Sequence, residues 1–183
     1  EMVQMSSRSG QFVTLRDLRK EVGNDAARFY YVMRKSEQHI DFDLDLAVSQ
    51  SKDNAVYYIQ YAHARIQRIL QKAQTAGLEL NVVTAREHAN LLTLETETEI
   101  LAKLAAYPEV LVRAANSYEP HQIGNYLKEL AALFHGWYAQ DGIKFIDDQN
   151  VTLSQARLLL SSNVQQVLRN GLTLLGVSAP ESM

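Results

Sequence analysis

Residues 54–78 read NAVYYIQYAHARIQRILQKAQTAGL, and this stretch decides the fold. Its apolar residues recur at steps of 3, 4, 3 and 4, which is the spacing of one buried face of an α-helix. The residues on this face are Ile59, Ala62, Ile66, Ile69 and Ala73. The stretch therefore predicts a long helix that packs against a core along one side.

The same period returns twice later in the chain and extends the prediction to a bundle. One core-facing set comprises Ile123, Leu127, Leu130, Phe134 and Trp137. The other comprises Leu153, Ala156, Leu160, Val164, Val167, Gly171 and Leu174. Residues 94–104 and 110–115 form shorter amphipathic segments, whereas residues 40–46 alternate apolar with acidic and predict a short strand or a connector into a helix. The pattern predicts an all-α helical bundle.

Capping residues mark where several helices begin and end. Thr14 with Asp17 three residues later is typical of a helix start, and Gly23 is a suitable stop. Thr84 with Glu87 predicts another start. Two prolines suit first helical turns, where the missing N–H would be unpaired in any case; they are Pro108 and Pro120. The polar residues 49–54 predict a boundary between an N-terminal region, residues 1–50, and a larger bundle, residues 51–183.

Composition excludes several classes of protein. The 18 Lys and Arg against 21 Asp and Glu give a net charge of −3, so no overall positive charge indicates a nucleic-acid partner. The absence of cysteine excludes disulfides and thiolate metal sites, and favours a cytoplasmic location. No apolar run approaches the ~18 residues that span a bilayer. Because the chain begins with Glu1 instead of Met, we expect a fragment or a processed product.

Motifs for self-contained catalysis are missing from the sequence. The five histidines show no His-Glu-x-x-His spacing, so no metal site is expected. Asp41, Asp43 and Asp45 are spaced as in a calcium loop, but the sequence after them lacks the glycine and the final glutamate that such a loop requires. Glycine-rich phosphate loops and a Gly-x-Ser-x-Gly nucleophile motif are also absent. A complete enzyme active site is therefore not visible in the sequence.

A second stripe on the helix of residues 54–78 combines aromatic and basic side chains and is typical of RNA binding. It steps by 3, 4, 3 and 4 through Tyr58, Tyr61, Arg65, Arg68 and Lys72, with no acid between residues 54 and 78. Single-stranded RNA offers unstacked bases to aromatic planes and phosphates to cations. Two alternatives remain open at this point, a helical module that binds another protein and, less favoured, an enzyme with a buried polar site.

Several runs give the chain a family resemblance. They are residues 10–18, 22–29, 39–47, 54–66, 133–138 and 174–183, which include Gln-Tyr-Ala-His-Ala-Arg at 60–65 and Asp-Ala-Ala-Arg at 25–28. The chain resembles the C-terminal region of class I arginyl-tRNA synthetases, an anticodon-binding helical bundle with a short N-terminal stem-contact segment. The resemblance implies a parent enzyme that uses ATP, with magnesium, to attach arginine to its tRNA. It further implies that the parent is monomeric and cytoplasmic, and that its N-terminal catalytic domain is missing here.

The resemblance also implies roles for individual residues. Tyr58, Tyr61 and Arg65 would approach the anticodon loop of the arginine tRNA, and the terminal Met183 would lie near the same RNA. The N-terminal run is similar to the loop with which class I synthetases hold ATP; its remnant comprises Met5, Ser6, Ser7 and Arg8. Both lysine positions of that loop are replaced, by Gln4 and Ser7, which leaves Arg8 as its only cation. Because the nucleotide-binding fold lies upstream in the family, we expect no cofactor for the fragment itself.

Overall fold

The computed structural model describes residues 14–35, 37–38 and 41–183, and their regular structure is helical. In chain order the α-helices are α1 (Leu15–Val22), α2 (Asn24–Val32), α3 (Leu44–Val48), α4 (Ala55–Thr75), α5 (Val82–Glu87), α6 (Glu95–Ala105), α7 (Tyr107–Ser117), α8 (His121–Ala139) and α9 (Val151–Leu174). A short 3₁₀ turn, Ala89–Leu91, follows α5. The prediction of an all-α bundle is confirmed.

The first helices begin and end where the capping residues predict. The Thr14 hydroxyl accepts a hydrogen bond from the Asp17 backbone N–H at 3.1 Å, and α1 stops at Gly23, whose φ of +84° favours glycine. The sequence predicts either a short strand or a connector into a helix for residues 40–46. In the described part of this stretch the chain leads into a helix. The Asp43 carboxylate accepts from the Leu46 N–H at 2.9 Å and thereby starts α3.

The start predicted at Thr84 is wrong, because Asn81 caps α5 three residues earlier. The Asn81 side-chain oxygen accepts from the N–H groups of both Val83 and Thr84 at 3.1 Å, so Thr84 lies inside the helix. Asparagine is among the strongest N-cap residues. Pro108, in contrast, lies in the first turn of α7 as predicted, and Pro120 immediately precedes α8.

The core lies between α4, α8 and α9, the three longest helices. The predicted apolar faces of α4 and α8 are buried along their whole length. The face of α9 is buried at most of its positions, but Leu153 and Val167 are only half-buried. At its end Leu174 is 59% exposed, and Leu172 and Leu175 are buried instead. Ala26 and Phe29 of α2 belong to the same core, which attaches the N-terminal region to the bundle.

A buried ion pair joins α6 to α9. Arg157 Nε donates to Glu97 Oε1 at 2.8 Å, and the two side chains are 9% and 0% exposed. Each partner makes a further hydrogen bond, since Arg157 donates to the Lys144 carbonyl at 3.0 Å and Glu97 accepts from the Leu94 N–H at 3.2 Å. The pair therefore fixes α6 and the loop before α9 against the core.

Candidate nucleic-acid interface

Five of the six residues predicted to bind RNA line one cleft, which we call the Arg65 cleft. It is formed by α4, the end of α8 and the end of the chain. Its lining residues are Tyr61, Ala64, Arg65, Arg68, Ile69, Lys72, Tyr138 and Met183. The lining includes three cations and no carboxylate side chain, although the whole chain is acidic. The cleft is therefore a local basic surface on an acidic protein.

Arg65 lies at the centre of this cleft, between two aromatic rings. Its guanidinium carbon is 4.4 Å from the ring centroid of Tyr61 and 4.5 Å from that of Tyr138. It also donates to the Tyr61 hydroxyl at 2.9 Å and to His135 Nδ1 at 3.0 Å. A guanidinium has five N–H groups, so three of them have no hydrogen-bond partner among the residues that the structure describes. These are the groups with which Arg65 is able to contact a ligand.

His135 supports Arg65 from beneath the cleft. Its Nε2–H donates to the Tyr58 carbonyl at 3.2 Å, which leaves Nδ1 without a proton and able to accept from Arg65. Burial lowers the pKa of His135, and the positive charge of Arg65 lowers it further, whereas the Tyr58 carbonyl acts in the opposite direction. The imidazole is accordingly the neutral tautomer with the proton on Nε2.

Tyr58 is the one predicted RNA-binding residue that does not line the cleft. Its ring packs on His135, with the two ring centroids 4.4 Å apart, and is partly buried against the core. Tyr61 reaches the cleft, and its ring also stacks on Tyr57 at 5.9 Å with an interplanar angle of 8°. Tyr58 therefore holds His135 in place, and a direct role for it in binding stays a prediction.

Arg68 and Lys72 continue the basic surface one and two turns beyond Arg65. Both side chains are exposed, in contrast to the half-buried Arg65. None of the ion pairs in the described part of the chain involves either residue. Their positive charges are therefore available to an anionic ligand such as a phosphate backbone.

Met183 reaches the cleft because the segment after α9 folds back along α4. His63, which is fully buried, donates through Nδ1–H to the Pro180 carbonyl at 2.8 Å, and Gln60 donates to the Ser178 carbonyl at 3.0 Å. Met183 itself is 45% exposed, so its side chain is accessible from solvent. The chain terminus is thus part of the cleft wall.

Tyr138 and His135 are the contributions that the α4 pattern does not reveal. Both lie in the run 133–138, which the resemblance includes without assigning them a role. The sequence signal was that Tyr138 directly follows Trp137, the last residue of the predicted core-facing set. A tyrosine in such a position points away from the core, but the sequence does not state which helix lies beside it.

Other candidate sites carry less information. The described residues hold no group of three or more His, Asp or Glu side chains arranged for a metal ion. No helix in the described ranges combines the length and apolarity needed to cross a bilayer. The ATP-loop remnant predicted at Met5, Ser6, Ser7 and Arg8 lies outside the described residues.

Two of the buried histidines, His63 and His135, predict a pH dependence of stability. Burial also lowers the pKa of His63, and nearby Arg169 lowers it further, while the Pro180 carbonyl and Glu181 act in the opposite direction. Both histidines have a pKa in the folded protein below the unfolded value of about 6.5. Below that pH the unfolded state therefore binds more protons than the folded state, and the folded protein loses stability as the pH falls. We expect the free energy of unfolding to decrease below pH 6.5, by at most about 1.4 kcal/mol per pH unit for each histidine.

Urea unfolding at pH 8.0, 7.0, 6.0 and 5.5 measures this decrease. The variant His63→Gln/His135→Gln is expected to flatten it, whereas His88→Gln, which lies in neither network, is expected to retain it. An equally steep decrease in the double variant would show that other groups cause the pH dependence.

Comparisons with known proteins place this geometry in context. The DALR anticodon binding domain family matches residues 59–183. The arginine–tRNA ligase of Acinetobacter baumannii (strain AYE) is 79% identical over 183 residues, which cover the whole chain but 30% of that protein. The chain therefore spans about a third of the length of the curated relatives that it matches.

Solved structures give the same result. A putative arginyl-tRNA synthetase from Campylobacter jejuni matches 99% of the chain and 37% of its own length, with a TM-score of 0.80 and 29% identity. The arginyl-tRNA synthetase of Thermus thermophilus matches 97% of the chain and 29% of its own length, with a TM-score of 0.73 and 28% identity.

Proposed function

Because the chain belongs to the DALR anticodon binding domain family, we propose that it binds the anticodon loop of an arginine tRNA through the Arg65 cleft. The observation that carries this proposal is the composition of the cleft, in which three cations and two tyrosines converge without an acidic side chain. Phosphates of a single-stranded loop displace counterions at such cations, and its bases stack on aromatic or guanidinium planes. The alternative of a protein-interaction module is not favoured by this family membership.

Different residues of the cleft serve different parts of the RNA in this proposal. Arg68 and Lys72 are exposed and contact phosphates, which position the loop but carry no sequence information. Tyr61 and Tyr138 present aromatic rings to the bases, and Arg65 presents the N–H groups that have no partner in the described residues. Met183 closes the cleft with an apolar contact. Tyr58 contributes through His135.

The proposal extends to the longer protein of which this chain is a part. The parent is an arginyl-tRNA synthetase that attaches arginine to its tRNA with ATP and magnesium in the cytoplasm. Its catalytic domain precedes the present chain, and the ATP loop begins near Met5–Arg8. Residues 1–50 connect that domain to the anticodon-binding bundle of residues 51–183, and the parent acts as a monomer. The present chain binds RNA and supplies no catalytic group.

Removing the Tyr61 ring tests the proposal. We expect Tyr61→Ala to weaken binding of an arginine tRNA transcript by ~1–3 kcal/mol, the usual contribution of one stacked aromatic side chain. Fluorescence anisotropy with the purified 183-residue chain measures the affinity. Tyr118→Ala is the matched control, because Tyr118 is 92% exposed and lies outside the cleft. Equal losses in the two variants, or no loss at Tyr61, would contradict the proposal.

A further inference from the structure

The last nine residues of the chain, 175–183, form a segment that we call the tail. It leaves the end of α9, crosses the faces of α2 and α4, and ends with Met183 in the Arg65 cleft. The tail has no helix of its own to hold it, so its course depends on side chains from the helices beneath it. Three groups of hydrogen bonds supply this support.

The first group fixes the point at which the tail leaves α9. Arg28 of α2 donates through Nε to the Leu175 carbonyl at 2.6 Å. The next residue, Gly176, has a φ of +69°, and a Cβ added to it would lie 2.2 Å from Arg28 Nε. The guanidinium therefore packs directly on the backbone of the turn, in a place that only glycine leaves open.

The second group holds the middle of the tail between α2 and α4. The Asp25 carboxylate accepts hydrogen bonds from the Ser178 hydroxyl and, at 2.9 Å, from Gln60 Nε2. Gln60, which is buried, also donates to the Ser178 carbonyl at 3.0 Å. Asp25 and Arg28 are three residues apart on α2, so they face the tail from the same side of the helix.

The third group holds the tail close to its end. His63 of α4 donates to the Pro180 carbonyl at 2.8 Å, while its other ring nitrogen lies 3.4 Å from Arg169 Nε. Three residues later the chain ends at Met183. The contacts of Arg28 and Asp25 thus form the start of a continuous series that leads from α2 into the cleft.

We propose that Asp25 and Arg28 are positioning residues for RNA binding, which act through the tail and not by contact with RNA. They supply the α2 side of the support that keeps Met183 in the Arg65 cleft. This inference rests on the proposed function, since it assigns α2, which does not line the cleft, a part in forming it. It also gives the Asp-Ala-Ala-Arg run at 25–28 a physical task, because its first and last residues hold two successive parts of the tail.

The same double variant in two chains of different length tests the inference. The variant Asp25→Ala/Arg28→Ala is prepared in the 183-residue chain and in a chain that ends at Ser178. Hydrogen exchange of the Gly176 and Val177 amides, which donate to the Thr173 and Leu172 carbonyls at 2.9 Å, reports without RNA whether the start of the tail is held. Anisotropy titration with an arginine tRNA transcript reports binding. Glu109→Ala/Arg113→Ala is the control, because it removes one acid and one base from an exposed face of α7 with no change in net charge.

We expect the double variant to accelerate exchange in the tail at least tenfold and to weaken RNA binding about three- to tenfold, the scale of one or two lost hydrogen bonds. In the chain that ends at Ser178, the same two substitutions are expected to leave affinity unchanged, because Met183 is already absent. The control variant is expected to change neither measurement.

Three results would overturn the inference. Unchanged tail exchange would show that Asp25 and Arg28 do not hold the tail. Unchanged affinity in the full chain would show that the tail does not need them for binding. An equal loss of affinity in the shortened chain would show that they act by another route. Absence of RNA binding by the unaltered chain would instead refute the proposed function, and exchange alone would then decide whether α2 anchors the tail.

Discussion

Arg157→Ala is expected to lower the free energy of unfolding by about 3–5 kcal/mol, the usual cost of removing one partner from a buried ion pair. Glu97 would be left without its cationic partner in a site where its side chain is 0% exposed, with the Leu94 N–H as its remaining donor in the described part of the chain. The Lys144 carbonyl would also lose its donor, which loosens the loop before α9. Urea unfolding followed by circular dichroism measures the change.

Two further variants separate charge burial from loss of packing. Glu97→Leu/Arg157→Met removes both charges, and we expect it to recover most of the loss, because apolar replacement of a buried pair is often neutral or stabilising. Glu129→Ala removes the exposed partner of Lys103 and is expected to cost less than about 1 kcal/mol. A loss below 1 kcal/mol for Arg157→Ala would show that the pair is not important for stability.

The second large effect concerns RNA binding. Arg68→Glu/Lys72→Glu is expected to weaken binding of an arginine tRNA transcript on the order of a hundredfold at 0.1 M salt. Loss of two phosphate contacts alone gives roughly 25-fold, from a counterion-release exponent of about 0.7 per contact on a single strand. Repulsion between the new carboxylates and the phosphates supplies the rest. Both side chains are exposed and outside the core, so the free energy of unfolding is expected to stay unchanged.

A titration at several salt concentrations makes this prediction specific. The plot of log affinity against log salt is expected to become shallower by about 1.4 for the two lost contacts. Arg113→Glu/Lys128→Glu changes the net charge equally on exposed parts of α7 and α8, and we expect it to preserve the slope. An unaltered slope in the cleft variant, or tight binding that ignores salt in the unaltered chain, would favour a protein-binding module instead.

The helices were predictable because their evidence is local. The spacing of Ile59, Ala62 and Ile66 identifies the buried face of α4 without knowledge of its neighbours, and Gly23 ends α1 through its own backbone preference. Errors arose where two local signals competed. Asn81 is a stronger cap than Thr84 and starts α5 first, and Leu174 keeps the helical period although Leu172 and Leu175 are the residues that are buried at this end of the helix.

The cleft was predictable in part, for a different reason. The stripe of Tyr61, Arg65, Arg68 and Lys72 lies on one helix, so its spacing alone places these side chains together. Tyr138 lines the cleft with them only because α8 packs beside α4. Tyr58 does not line it, because its ring packs on His135. Such contacts depend on the packing of separate helices, which the period of one helix does not contain.

The position of Arg65 between two rings has a consequence for the affinity of the proposed binding. A free arginine side chain loses up to about 2 kcal/mol of rotamer entropy when a ligand immobilises it. Here Tyr61, Tyr138 and His135 have already restricted the guanidinium during folding. If RNA contacts Arg65 as we propose, binding requires little further ordering of this side chain. The entropic cost then lowers the stability of the folded protein and not its affinity for RNA.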